Sequence, residues 1–553
     1  MPRIPLHILT SALLCSIVAT SHAAWPISSA ANLTVCIANG NQDAPIAVSD
    51  GAGGILVAWH DRRNTQQDVY ATRVTVNGVR PWPTNGVGIA TTVNDEALLD
   101  MISDGAGGAF LCWAMGSQLQ LQRISISGVL QWTEPTTVAI DYATPSCIEL
   151  ECSANLVTDG AGGAIAVWRT SGRDVYAQRV LSDGSMAWGQ TPLPVCTAPD
   201  NQVSVVAAAD GYGGVIVAWT DVRNLNPDVF AQRLGANGSP LWPLDGIGIA
   251  TGVGDQDLPS LAADGFGGAI VSWNDYAVND ESHAQRVDGS GQIMWDEPRG
   301  VYIGGLSIRL MMPDGEGGAL IGLAPTGALA GVMRFQRITS DGLQPWGEFP
   351  DVQTEVCNIS GFIHTVQMCS DGSGGAVVTW ADDRNGELDI FAQRMSGLGT
   401  RLWGEDGIAV STTTNVQECP FAVPSLGGST ILAWDGVRVG TGSNIYAQQV
   451  SADGVLGDVP SAAEVDLPES LAMSVCNPCS GMLTLSYVLP AAAHASVSVV
   501  DVAGRIHAGA PPSWQRAGQH QESFDTKMWR SGVYIVQLES GGVHRSMKTI
   551  VVH

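Results

Sequence analysis

Between residues 50 and 375 a turn of the form Asp-Gly-x-Gly-Gly occurs seven times, starting at Asp50, Asp104, Asp159, Asp210, Asp264, Asp314 and Asp371, 50 to 57 residues apart. An eighth, degraded copy keeps Gly427 and Gly428. Self-similarity at a fixed period restricts a chain to stacked or ring-like architectures. The copy around Asp264 shows what one period contains. Residues 259–264 form a short strand and the glycine turn follows. Residues 269–273 (AIVSW) form an apolar strand, and residues 283–287 and 293–295 supply two more. Gly-Gly suits the first turn because tight hairpins require positive φ. Four short strands in ~50 residues is the arithmetic of a propeller blade. A solenoid would use shorter rungs, and a β-sandwich would not repeat its own sequence.

The expectation is therefore an all-β chain: a β-propeller of eight four-stranded blades over residues 24–460, a linker at 461–470, and a small Ig-like β-sandwich at 471–553. Seven blades is the alternative, because the copy from Asp314 carries Leu323 where the others have Trp. The stretch Ala24-Trp25-Pro26 resembles the Trp242-Pro243 segment of a later repeat. An N-terminal strand can thus complete the last blade and remove an exposed sheet edge.

The first residues read as a leader. Arg3 precedes an apolar run at 8–20, and Ser21-His22-Ala23 offers a small-x-small cleavage site, so a signal peptide is expected over 1–23. Cys15 follows Leu14, where a lipoprotein site would want a small residue, so cleavage is expected rather than lipidation. No other run is long enough to span a bilayer, which needs ~20 apolar residues. A net charge of −27 leaves no excess of Lys and Arg for phosphates or anionic lipid, which argues against nucleic acid or a membrane surface as partner. Export permits disulfides. Of eleven cysteines, ten follow the leader, and Cys357 with Cys369 and Cys147 with Cys152 are local candidates. Cys36, Cys196 and Cys357 each lie fourteen residues before an Asp-Gly turn, so they belong to different repeats and should not pair with one another.

Residues repeated in every unit read as scaffold. The strand-end tryptophans Trp59, Trp113, Trp168, Trp219, Trp273, Trp380 and Trp434 should fill the layers between blades. A second series, Trp82, Trp132, Trp188, Trp242, Trp295, Trp346 and Trp403, follows a glycine turn. It resembles the tryptophan-docking motif of quinoprotein propellers and, more loosely, the Asp-box of sialidases, both structural devices in those families. Arg73, Arg123, Arg179, Arg233, Arg286, Arg337 and Arg394 end a Gln-Arg or related pattern and should latch onto the Asp-Gly carboxylates, since Arg suits bidentate pairing.

The loop after the strand-end Trp is the candidate site. Asp61 and Arg63, Asp221 and Arg223, and Asp382 and Arg384 recur there at one spacing. Alternate loops of a meander emerge on one face, so these share a face with the crossings between blades, where propellers usually carry ligand sites. The structural reading is a turn capped by Asp with Arg paired locally. The binding reading is a polar ligand, with calcium the one ion such loops could take. No cofactor or other metal is expected: no Cys/His cluster has ligand spacing, and Cys476-Asn-Pro-Cys479 is a lone C-x-x-C. No nucleophile elbow, H-E-x-x-H or phosphate loop is present, so no catalytic residue is assigned.

The last ~85 residues, a small domain's length, carry Asn477-Pro478-x-Ser480-Gly481, then residues 500–505 (VDVAGR), Ser531-Gly532-Val533-Tyr534 and a final Lys548-Thr549-Ile550-Val551-Val552. Together these resemble the type A C-terminal sorting domain of type IX secretion substrates. The resemblance implies export across both membranes, with the type IX translocon as partner, and a final location secreted or on the outer-membrane surface. The functional expectation is a secreted or surface-attached binding or adhesion module for an extracellular protein or glycan. The alternative is an extracellular hydrolase, most plausibly carbohydrate-active, since propellers host both.

Overall fold

The computed structural model describes residues 25–143, 154–276, 281–296, 299–305, 307–324, 331–347, 354–438 and 442–457. In the C-terminal region it describes 472–475, 482–489, 493–501, 505–515, 518–527, 529–540 and 543–551. The expected signal peptide, Cys147, Cys152, the 461–470 linker and the Cys476–Cys479 segment lie outside the described residues.

β1 (Leu33–Cys36) is followed by β2 (Gln42–Ser49), β3 (Ile55–Asp61), β4 (Asp68–Val74) and β5 (Val87–Ala90), and β2 to β5 form one antiparallel meander in chain order. β3 is buried on both faces, which is why it reads as a continuous apolar run, Ile-Leu-Val-Ala-Trp, rather than an alternation. The same meander recurs over residues 96–139, 155–196, 202–250, 256–304, 307–358 and 363–411. The last sheet is completed across the chain: Gln417–Pro424, Thr430–Val437 and Ser443–Val450 are joined by β1, which pairs with the third of them. The first strand of each unit packs on the first strand of the next, and β2 contacts both Glu96–Ser103 and Gln417–Pro424. These repeated sheets are consistent with a β-propeller. The copy from Asp314 makes a complete sheet, with Leu323 fully buried in the place of the strand-end Trp.

The repeated polar residues hold this arrangement. One oxygen of Asp210 accepts the amides of Tyr212 (2.8 Å) and Gly214 (2.7 Å), and the other binds the Arg233 guanidinium at 2.8 Å. All seven Asp–Arg pairs are formed, at 2.8–3.1 Å between Arg Nη2 and the Asp carboxylate, as the repeat suggested. The Gln before six of these arginines is buried as well, and before Arg73 the buried residue is Thr72. Gln232 Oε1 accepts the amides of Arg233 and Trp242, and its Nε2 donates to the Pro243 carbonyl. One side chain thereby ties the third strand to the segment leading to the fourth.

The second tryptophan series joins units. The indole Nε1 of Trp82, Trp132, Trp188, Trp242, Trp295 and Trp403 donates to a carbonyl of the next unit at 2.9–3.3 Å. The closing contact is Trp25 Nε1 to the Val76 carbonyl at 2.7 Å, so Trp25 docks the last unit onto the first. The receiving turn needs glycine: a Cβ on Gly184 (φ +87°) would lie 2.8 Å from the Trp132 ring.

In the C-terminal region Ala472–Val475, Met482–Leu489 and Gly518–Asp525 form one sheet. Ile506–Gln515, Ala493–Asp501, Gly532–Ser540 and Val543–Val551 form another. Leu483, Leu485 and Tyr487 share a core with Val497, Val499, Val536 and Leu538, which places the two sheets face to face.

Candidate functional site

The three Asp-x-Arg loops are built alike and turned inward. Asp61 is fully buried: Oδ2 accepts the Trp59 indole (2.8 Å) and Arg63 Nη2 (2.6 Å), and Oδ1 accepts the Arg63 amide (2.8 Å) and Nε (2.9 Å). Asp221 and Asp382 repeat the bonds to Trp219 with Arg223 and to Trp380 with Arg384. Each guanidinium lies over an aromatic ring of the adjacent strand, at 3.7 Å for Tyr70, 4.0 Å for Phe230 and 3.7 Å for Phe391. Burial opposes ionisation of Asp221, yet the bonds from Arg223 and Trp219 hold its carboxyl below the usual range. In the last unit Gln417 takes the place of the Asp, its Oε1 accepting from Trp434 Nε1 (3.1 Å) and Arg438 Nη1 (2.8 Å). These side chains shape the loops from within. The strand-end tryptophans are buried too, which leaves no face for a stacked sugar.

Cys36 and Cys196 sit beneath these loops, 3.5 Å and 3.1 Å from Nη2 of Arg63 and Arg223, and burial pushes their thiols up to about 11 and about 12. Cys357 and Cys369 do not form the disulfide that their closeness in sequence suggested. Cys357 ends one sheet on Thr354–Asn358, Cys369 lies on the first strand of the next, and both are buried free thiols.

The loop face does share the Asp-x-Arg loops with the crossings between units: the Arg62 amide donates to the Asn41 carbonyl, and the Gln67 amide to Asp95. On that face the first and second units enclose an open groove of about 790 Å³, with polar lining from Thr65, Gln66, Asn94, Asp95, Ser117 and Gln118. It opens where one loop is shorter than its counterpart. The first unit spans residues 62–67 between its second and third strands, whereas the second unit turns through Gly116 (φ +57°) and Ser117 alone.

Next in the chain to Asp95 of the groove lining is a buried residue that motif reading passed over. Glu96 begins the innermost strand where Gln42, Gln202, Gln256 and Gln417 begin theirs, and it is fully buried. Burial raises its carboxyl above the ordinary value, against hydrogen bonds from Thr92, and the charges of Asp68 and Asp95 add to the rise. Aligning the repeats on Asp50 and Asp104 would have found it, since each of those Asp residues lies eight positions after the Gln or Glu. Among the described residues no group of three His, Cys, Asp or Glu side chains is placed to hold a metal ion, and no helix is long and apolar enough to cross a membrane.

Residues 476–553 match the secretion system C-terminal sorting domain family, which bears out the resemblance seen in the motifs. This domain indicates secretion by the type IX route and attachment at the cell surface. No curated protein matches the chain. Among solved structures, it is similar to a protein of unknown function from Dyadobacter fermentans, with 14% identity and a TM-score of 0.35 over 76% of this chain and 98% of that one. It is also similar to a polysaccharide lyase, an ulvan lyase bound to a GlcA–Rha3S oligosaccharide, with 10% identity and a TM-score of 0.39 over 76% and 96%. A third similarity is to prolyl oligopeptidase B from Galerina marginata, with 10% identity and a TM-score of 0.41 over 73% of this chain and 55% of that one.

Proposed function

We propose that this chain is a cell-surface binding or adhesion module that takes a polar extracellular ligand, a glycan or a protein segment, in the groove between its first and second units. In this reading residues 1–23 are a signal peptide and residues 24–460 an eight-bladed propeller, one blade per four-stranded sheet. Residues 461–470 are a linker to an Ig-like sorting domain at 471–553. Asp61 and Arg63 serve binding by fixing the loop that carries Thr65 and Gln66 into the groove, and Asp221, Arg223, Asp382 and Arg384 fix the equivalent loops of the fourth and seventh units. The observation that carries the proposal is the break in repetition. The scaffold is nearly uniform, and the shortened 115–118 hairpin opens a polar groove at one boundary on the loop face. The test is a glycan-array and hydrolysis screen of the chain lacking only residues 1–23. Saturable binding, weakened about tenfold by Gln66→Ala with Asn94→Ala, is expected. Product release would instead place the chain among carbohydrate-active enzymes.

A further inference from the structure

Among the differences between the boundary of the first and second units and its counterpart three units away, two side-chain changes each remove a donor. At the boundary between the fourth and fifth units, Asn224 donates to Asp228 Oδ2 (2.7 Å) and Asn226 to Asp228 Oδ1 (3.1 Å). Gln256 Oε1 accepts the Gly252 amide (3.1 Å), and its Nε2 donates to the Gly254 carbonyl (3.1 Å). Every polar atom of that aspartate has a partner.

At the boundary between the first and second units the backbone is the same. The Glu96 amide donates to the Gln67 carbonyl at 2.7 Å, as the Gln256 amide does to Pro227 at 2.8 Å. Asn64 donates to Asp68 Oδ2 at 2.6 Å, and Glu96 Oε1 accepts the Thr92 amide at 3.2 Å. Asn226, however, is replaced by Gln66, whose Nε2 turns away to the Thr92 carbonyl (2.7 Å). Gln256 is replaced by Glu96, which puts a carboxylate oxygen in register with the amide nitrogen that faces carbonyl oxygens elsewhere. Asp68 Oδ1 and Glu96 Oε2 are both buried and have no hydrogen-bond partner among the described residues.

We propose that Glu96 and Asp68 bind a hard divalent cation, calcium, under the floor of this groove, with main-chain carbonyls of the 92–96 crossing completing the shell. A cation set between these two buried acceptors replaces both missing donors at once. The donors are all oxygen, carboxylate and carbonyl, which suits calcium over zinc or copper. Only two acidic side chains are needed, so the site does not require a larger Asp, Glu or His cluster. Asp95, the chain neighbour of Glu96, lines the groove with Gln66 and Asn94. This assignment stands whatever the groove above it binds.

The test is thermal unfolding and calorimetric titration of the full chain with calcium chloride after chelator treatment, alongside Glu96→Gln and Asp68→Asn. Glu96→Gln installs the residue found at four equivalent positions, so it should fold. The expected result is saturable calcium binding with an upward Tm shift in the unaltered chain. The affinity should be in the ~10⁻⁴–10⁻³ M range of extracellular calcium modules. It should weaken about tenfold or more in Asp68→Asn and vanish in Glu96→Gln. Equal calcium shifts in the unaltered chain and Glu96→Gln would overturn the assignment. So would no calcium shift in the unaltered chain together with a higher Tm for Glu96→Gln, which would identify Glu96 as a protonated buried acid.

Discussion

The boundaries between units one and two and between units four and five have one backbone and two chemistries. At the second, Asn226 and Gln256 satisfy every acceptor around Asp228. At the first, Gln66 and Glu96 leave two acceptors open beneath a groove that a shortened hairpin creates. In a repeat scaffold, whatever recurs is being used to hold sheets together, and function has to be sought in departures from the repeat. Each departure is small because the surrounding latches are left intact.

The latches are where that comparison can be broken most forcefully. Trp25→Ala should cost about 3–5 kcal/mol, as should Trp242→Ala, because each removes a buried indole that joins two units. Chemical denaturation of the full chain would measure both. A much smaller cost for Trp25 would show that the seam between the last and first units is not equivalent to the others. Asp50→Ala and Asp210→Ala should each cost about 3 kcal/mol, since each strands a partly buried Arg and two turn amides. A large inequality between them would mean that the two boundaries differ in scaffold as well as in site.

The repeat period, the two tryptophan series and the Asp–Arg latch were legible because they are scaffold terms imposed on every unit. Even the closing role of Trp25 followed from its likeness to Trp242. The cysteine pairing was not legible: Cys357 and Cys369 are twelve residues apart in sequence yet lie on different sheets, a separation set by where one unit ends and the next begins. The Asp61, Asp221 and Asp382 motif was found, but sequence does not reveal that its carboxylates are consumed by Trp and Arg from the same loop. Glu96 was hidden for a different reason. It is a single Gln-to-Glu difference, and it acquires meaning only beside Asp68 and Gln66, which the fold brings to it from the preceding unit.

Transplanting the difference would sharpen the comparison. Asn226→Gln with Gln256→Glu copies the two donor-removing changes of the first boundary onto the fourth-to-fifth one. Without calcium it should destabilise by about 2–3 kcal/mol, the cost of two unsatisfied buried groups. Calcium should recover part of that loss if those two changes suffice to create the site, which denaturant titrations with and without the ion would show.

The smallest effect lies at the seam between the last and first units, where a carboxyl is buried without an Arg. Asp435 Oδ2 accepts the Ser443 hydroxyl at 3.1 Å, and burial, with Asp43 and Glu418 nearby, raises its pKa to about 7. A carboxyl with a raised folded-state pKa binds its proton more tightly in the native state than in the unfolded chain. Its contribution to stability is therefore complete below the unfolded value near 4 and is lost as pH rises towards 7. Asp435→Asn should flatten the stability profile across that window, read by denaturant midpoints at several pH values. Asp221→Asn should leave the slope there nearly unchanged, because Arg223 keeps Asp221 ionised throughout it. Identical slopes for the two variants would show that an Arg partner, present at one site and missing at the other, does not decide how a buried aspartate in this repeat responds to pH.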